Sequence, residues 1–233
     1  GLSAYATLAL LPPLLQGLLG YSVLTSGTVV APRGIGVMAC MILVGRLARM
    51  GVDLRLMVAT GFGIIAFSMF EMASWSLDVD MRHIVLTGVI QGVGLGFLFI
   101  PLNALAFSTL PAHLRADGSS LVNLSRSIGA SVGISLSSLL LARSIQINHA
   151  ELAPHVSAEA MQVFDPAQAG RFAQFGEAAL SFADAEVNRQ AAMIGYVNDF
   201  WLMGWLCLAS IPLVMLIRKP RKNAAPISAE AAH

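Results

Sequence analysis

Charge is what this sequence has least of. Asp, Glu, Lys and Arg make up 12% of its 233 residues, against about 25% in a soluble domain. A polar shell that thin cannot wrap several wholly apolar helices in a chain of this size. Cysteine is nearly missing as well: Cys40 and Cys207 both lie inside apolar runs. That argues against a disulfide framework or a cysteine metal site, and leaves inert packing as their expected role. Enzyme signatures are lacking: H-E-x-x-H, G-x-S-x-G, a P-loop and C-x-x-C do not occur, so neither the zinc-hydrolase nor the serine-hydrolase class is indicated. The histidines, His83, His113, His149, His155 and His233, all fall outside the apolar runs, so no catalytic pair is expected at membrane depth. The chain is therefore not expected to be an enzyme or to hold a cofactor or metal. Its basic residues are scattered and the net charge is +1, which gives no nucleic-acid footprint. There is no signal-peptide pattern. The sequence opens on Gly1 in an apolar run without an initiator Met, which reads as a fragment whose N-terminal part is missing.

Apolar residues are abundant instead, at 56%, with a mean hydropathy of +0.73. A bilayer crossing needs about 20 mostly apolar residues. Six stretches qualify, at about 2–19, 22–44, 56–75, 84–107, 119–142 and 194–217. The first is interrupted by Pro12 and Pro13, and the fourth carries no charge. The segment between spans two and three holds Arg46, Arg49 and Arg55, that between spans four and five Arg115, and the tail at 218–233 Arg218, Lys219, Arg221 and Lys222. The positive-inside rule makes that side cytoplasmic. The expected protein is an all-α, multi-pass protein of the bacterial inner membrane with its C-terminus in the cytoplasm. Residues 143–193 then form an extracytoplasmic loop, punctuated by Pro154 and Pro166. Phe172, Phe175, Ala179 and Phe182 recur there at helical spacing, predicting a short amphipathic helix. It would rest on the membrane surface or bundle, or dock an extracytoplasmic adaptor protein.

Polar groups at membrane depth are costly and mark function or helix ties. Arg126 lies well inside span five, with Asn123, Ser127, Ala130, Gly133 and Ser137 on one helical stripe and Leu121, Leu124, Ile128 and Val132 on the other side. Arg126 and Asn123 are candidates either to line a central cavity or to tie two helices. Gln91 and Asn103 in span four are candidates of the same two kinds. Span two carries Pro32-Arg33-Gly34-Ile35-Gly36, which predicts a kink with Arg33 available to the interior. The run GRLARMGVDLR, Gly45 to Arg55, reads first as positive-inside bias. It also suits charge pairs between helix ends, with Gly45, Arg46, Asp53 and Arg55 as the conformational loop.

Together these residues resemble a known family. The glycine–arginine loop is similar to the one that major facilitator transporters carry between the second and third spans of a six-span unit. APRGIG in span two, IPLNALAFSTLP closing span four, SSLVNLSRSIGASVG in span five and the long loop before the last span resemble the C-terminal half of fourteen-span drug:proton antiporters of the EmrB/QacA type. The resemblance implies a six-helix half of the major facilitator fold, built from two inverted three-helix repeats. It implies export of small amphipathic substrates from the bilayer, driven by inward proton flow, in partnership with a missing N-terminal half. The family's loop carries an acid where this chain has Arg49, the nearest acid being Asp53, and the usual proton-carrying acids belong to the other half. Glu71 and Asp199 are the acids at span ends with a claim to that role, the alternative for each being only to snorkel to water. The rival readings are a major facilitator exporter of a metabolite or siderophore, and a membrane scaffold subunit that transports nothing.

Overall fold

The computed structural model describes residues 2–107, 111–163 and 176–216, without the side chains of 2, 3, 112, 148–163 and 176–184. Among the described residues the chain is helical, with no strand. The elements are α1 (Leu2–Pro13) continued by a π turn (Leu14–Leu18), α2 (Val23–Val30), α3 (Pro32–Arg49), α4 (Leu54–Met72), α5 (Met81–Phe107), α6 (Arg115–Val163) and α7 (Gly176–Met215). Five runs are long and apolar enough to cross a membrane: Val23–Arg49, Leu54–Met72, Met81–Phe107, Arg115–Ile147 and Ala185–Met215. A sixth, Ala4–Leu18, is apolar but shorter.

Proline sets the irregularities. Pro12 and Pro13 each remove a backbone donor, and the helix widens into the π turn directly after them. Pro32 interrupts the helix where the APRGIG run predicted a kink, with Ala31, itself in helical conformation, between α2 and α3. Ser22 caps α2, its hydroxyl accepting from the Thr25 amide at 3.1 Å. Asp53 caps α4, accepting from the Arg55 amide at 3.3 Å. Gly51, at φ 81°, supplies the left-handed residue that turns the chain between α3 and α4.

α5 is the centre of the bundle, packing chiefly on α3 and α4, while α7 packs on α4 and α6, and α1 packs on α6. The α3–α5 seam is backbone on backbone. A Cβ on Gly92 would collide with the Arg33 carbonyl, and one on Gly36 would lie 2.5 Å from that of Val89. Small residues are how membrane helices approach this closely. The largest cluster of buried side chains joins α1, α4, α5 and α7 through Leu10, Ile65, Met69, Ile84 and Phe200. Trp75 packs edge-to-face on Phe200, ring centroids 6.3 Å apart.

Two boundaries differ from the sequence reading. α6 continues past residue 142 to Val163, and α7 begins at Gly176 rather than near 194. Apolarity ends at the membrane surface, but a helix keeps its own backbone bonds and needs no apolar sequence to continue into water. Water can also serve the carbonyl that Pro154 leaves without a donor. The Phe172 and Phe175 positions of the expected amphipathic helix, and the basic tail, lie outside the described residues.

Candidate functional site

α5 and α6 meet only lightly, and a gap runs between them. One side chain bridges it. Arg126 on α6 donates from Nη2 to Oδ1 of Asn103 on α5 at 3.3 Å. Its guanidinium also stands over the Phe99 ring, 5.4 Å from the centroid. Asn103 is held in turn by its amide nitrogen, which donates to the Phe99 carbonyl at 2.8 Å. Phe99 and Asn103 lie one helical turn apart on α5, so both can face the same residue of α6. The structure therefore joins two residues singled out from sequence, Arg126 and Asn103, through a third that was not, Phe99. Its position four residues before Asn103 was the available signal.

The surroundings are apolar. Arg126 closes one end of a cavity of about 80 Å³ lined by Tyr5 of α1, Phe62 of α4 and Leu95, Leu98, Phe99 and Leu102 of α5. Ligand pockets run to roughly 300–1,000 Å³, so this cavity by itself is too small for a drug-sized ligand. Further along the α5–α6 gap, a more open cavity of about 490 Å³ is lined by Ala104, Phe107, Arg115 and Ser119. Arg126 lies 11 residues into the apolar run that starts at Arg115, about 16 Å along the helix axis. At that depth a guanidinium needs partners, and Asn103 and Phe99 provide them.

The other expected site residues are dispersed. On α6, Asn123 and Ser127 are exposed, whereas Gly133 and Ser137 are buried, so the small polar stripe turns from the open side into the bundle along the helix. Gln91 is 1% exposed, with Nε2 donating to the Thr7 hydroxyl at 3.5 Å. That places it between α1 and α4 rather than beside Arg126. Arg33 is buried in α3, with neither Nη1 nor Nη2 finding a hydrogen-bond partner. In the loop between α3 and α4 Arg46 is exposed, Gly45 half-buried, and Asp53 is the α4 cap already described. Arg49 donates from Nε to the Gly45 carbonyl at 3.3 Å. Arg55 is half-buried, and its Nε and Nη2 are without partners.

Of the two acids, one stands as expected and one does not. Glu71 is at a helix end as predicted, and His83 lies 2.9 Å from it. Asp199 does not snorkel to water. It is 3% exposed, because α7 begins well before the apolar run that sequence reading took as the start of the span.

A bundle of membrane-length helices, opened by a gap with a cation on an aromatic wall, is a transporter-like arrangement. Residues 1–134 match the model of the Major Facilitator Superfamily, and the chain belongs to that family. Its architecture is the six-helix half of that fold. The chain is similar to the fatty acid resistance protein FarB of Neisseria gonorrhoeae, 30% identical over 218 residues that cover 92% of this chain and 42% of that protein. It is also similar to the multidrug export protein EmrB of Haemophilus influenzae, 26% identical over 92% of this chain and 42% of that one. The probable multidrug resistance protein EmrY of Escherichia coli is 27% identical over 91% and 42%. The chain thus spans about two-fifths of the length of these relatives.

Proposed function

We propose that this chain is the C-terminal half of a proton-coupled exporter of amphipathic small molecules, working by alternating access in a bacterial inner membrane. The observation that carries the reading is the Arg126–Asn103–Phe99 cluster at the edge of an apolar wall. It gives an amphipath a greasy surface for its body and a guanidinium, an amide and a ring for its polar end. The names of the relatives, a fatty acid resistance protein and multidrug export proteins, agree with that chemistry. The other half of the transporter would lie against α6. There Leu121, Leu124, Ile128, Val132 and Leu139 are exposed, and membrane lipid or protein must cover them. Rocking of the two halves would open the α5–α6 gap to each side in turn. The cytoplasmic loop at Gly45, Arg46, Asp53 and Arg55 would hold one of the two arrangements. The stretch of α6 beyond Ile147 gives an extracytoplasmic adaptor protein a rod about 24 Å long to dock on.

Proteoliposomes of the full-length protein test this reading. With an imposed pH gradient, inside acidic and substrate-binding side outward, the amphipathic anion anilinonaphthalene sulfonate or the amphipathic cation ethidium should accumulate. The accumulation should collapse when a protonophore is added. Failure of the pH gradient to move either probe would contradict the proton-coupled reading and favour the scaffold alternative.

A further inference from the structure

Resting on the proton-coupled reading above, we propose that Asp199 is a proton-carrying carboxyl within this half, loaded in the closed packing seen here and unloaded when the α6–α7 seam opens. Asp199 lies 14 residues after Ala185 and 16 before Met215 in the last membrane-length run. Those intervals are about 21 and 24 Å of helix, far beyond the reach of a side chain as short as aspartate. Its Oδ2 is buried and makes no hydrogen bond.

The packing one turn before it and at the next residue is apolar. One turn before it, Gly195 faces Leu141 and Ile145 of α6, with Leu141 Cδ1 3.0 Å from where a Cβ would stand. The next residue, Phe200, is fully buried against Trp75. The titratable and charged groups on the neighbouring elements are few. On α7 itself Tyr196, 6% exposed, lies one turn toward the extracytoplasmic end. On α4, Glu71 faces His83, and Arg55 stands at the opposite end of the helix. On α6, Arg126 bonds Asn103, and Arg143 is exposed. α1 contributes Tyr5 and no charged residue, and the π turn contributes none. Among the described residues no cation forms an ion pair with Asp199.

An ionised carboxylate with no counter-charge and one oxygen buried without a donor is strongly disfavoured in an apolar interior, so the carboxyl holds its proton in this arrangement. At Gly195, one turn away, α6 and α7 pack closely, so a separation of the two helices there would be what admits water. Ionisation then releases H⁺ to the water and leaves the carboxylate. Reprotonation from the extracytoplasmic side, past Tyr196, restores the acid. No other species is consumed. The step also separates Asp199 from Glu71, which already has a partner and stands half in water.

Two measurements on the full-length protein decide the matter. First, infrared difference spectra across a pH titration should show a protonated, water-excluded carboxyl band at neutral pH that is lost in Asp199→Asn and shifted in Asp199→Glu. An unchanged band in both variants would overturn the proposal, whatever the transport results. Second, in proteoliposomes with anilinonaphthalene sulfonate, Asp199→Asn should lose pH-gradient-driven accumulation while flow down the probe's own gradient persists. Asn matches the neutral acid in shape, so a purely structural Asp199 would leave coupling intact in that variant, which would also overturn the proposal. Should the Asn variant not fold, Asp199→Glu takes its place, with partial coupling expected and wild-type coupling at unchanged pH dependence the contrary result. Absence of gradient-driven movement in the wild type would refute the proton-coupled reading instead, and the infrared arm would still decide the protonation of Asp199.

Discussion

Gly88 and Gly92 lie one turn apart on α5, and only one of them should tolerate a methyl group. A Cβ on Gly88 meets nothing within 4 Å, whereas one on Gly92 runs into the backbone carbonyl of Arg33. Replacing a helix-interior glycine with alanine favours the helix by about 1 kcal/mol. Gly88→Ala should collect that gain. Gly92→Ala gains the same amount but forces α3 away from α5, and overpacking costs about 1–3 kcal/mol. The obstructing atom is main chain, so no rotamer change can relieve it. Gly36 makes the reciprocal contact with Val89, so the seam is tight from both sides. The two variants should therefore differ by about 1–3 kcal/mol, with Gly92→Ala the weaker. Cys40 reports on this seam directly, being 3% exposed beside Gly96. In a Cys207→Ala background, labelling of Cys40 by a fluorogenic maleimide during a thermal ramp should begin at a lower temperature in Gly92→Ala than in Gly88→Ala. Coincident curves would refute the claim that α3 and α5 touch backbone to backbone.

The remaining predictions test topology, lipid contact and the loop between α3 and α4. Cysteines at Ala116 and Ser76, both exposed, should react with an impermeant maleimide from opposite sides of the membrane; labelling of both from one side would reverse or break the assigned orientation. Trp201 and Trp205 are 54% and 50% exposed, while Trp75 is 5%. Brominated lipids should therefore quench most of the fluorescence of a Trp75→Phe variant and little of that of a Trp201→Phe/Trp205→Phe variant. Arg46→Ala and Asp53→Ala in the full-length protein should slow transport while leaving insertion unchanged. Asp53→Ala should in addition cost about 1 kcal/mol of stability through loss of the α4 cap, and full activity in both would leave Arg46 with only a topological role.

The apolar crossings were legible because lipid demands long uncharged runs: α5, expected at 84–107, spans Met81–Phe107. The Pro32 break was equally legible, since a missing amide acts locally. Helix ends in water were not, because α6 runs on to Val163 without apolar sequence to mark it. The same cause concealed Asp199. Judged from Ile194 onward it sits near a span end, but Val187, Ala191 and Met193 are buried while Glu186, Arg189 and Gln190 are exposed. That pattern is the amphipathic stripe of a helix already under way. Arg126 stood out by charge and Asn103 by polarity at depth. Their pairing depends on how α5 and α6 are set side by side, which no local pattern encodes. Gln91 looked like Asn103 in sequence but lies about three turns earlier on α5 and bonds α1 rather than α6.

The central claim is that the Arg126 cluster lies on the transport route, and the energetics allow it to be separated from a structural role. Arg126→Ala forfeits a charged hydrogen bond worth about 1.5–3 kcal/mol and a cation–π contact worth about 0.5–2 kcal/mol. It also removes a mid-membrane charge whose insertion costs about 2.5–3.5 kcal/mol. These terms nearly cancel, so the amount of folded protein should change little. Transport is another matter, since nothing replaces the guanidinium, and Arg126→Lys should restore it only in part because lysine lacks the planar fork of donors. The deciding measurement is export of anilinonaphthalene sulfonate per folded molecule of the full-length protein. The account predicts a large loss in Arg126→Ala and a partial one in Arg126→Lys, at near-normal yields of folded protein. Normal export per molecule in Arg126→Ala, with the loss confined to folded yield, would contradict it.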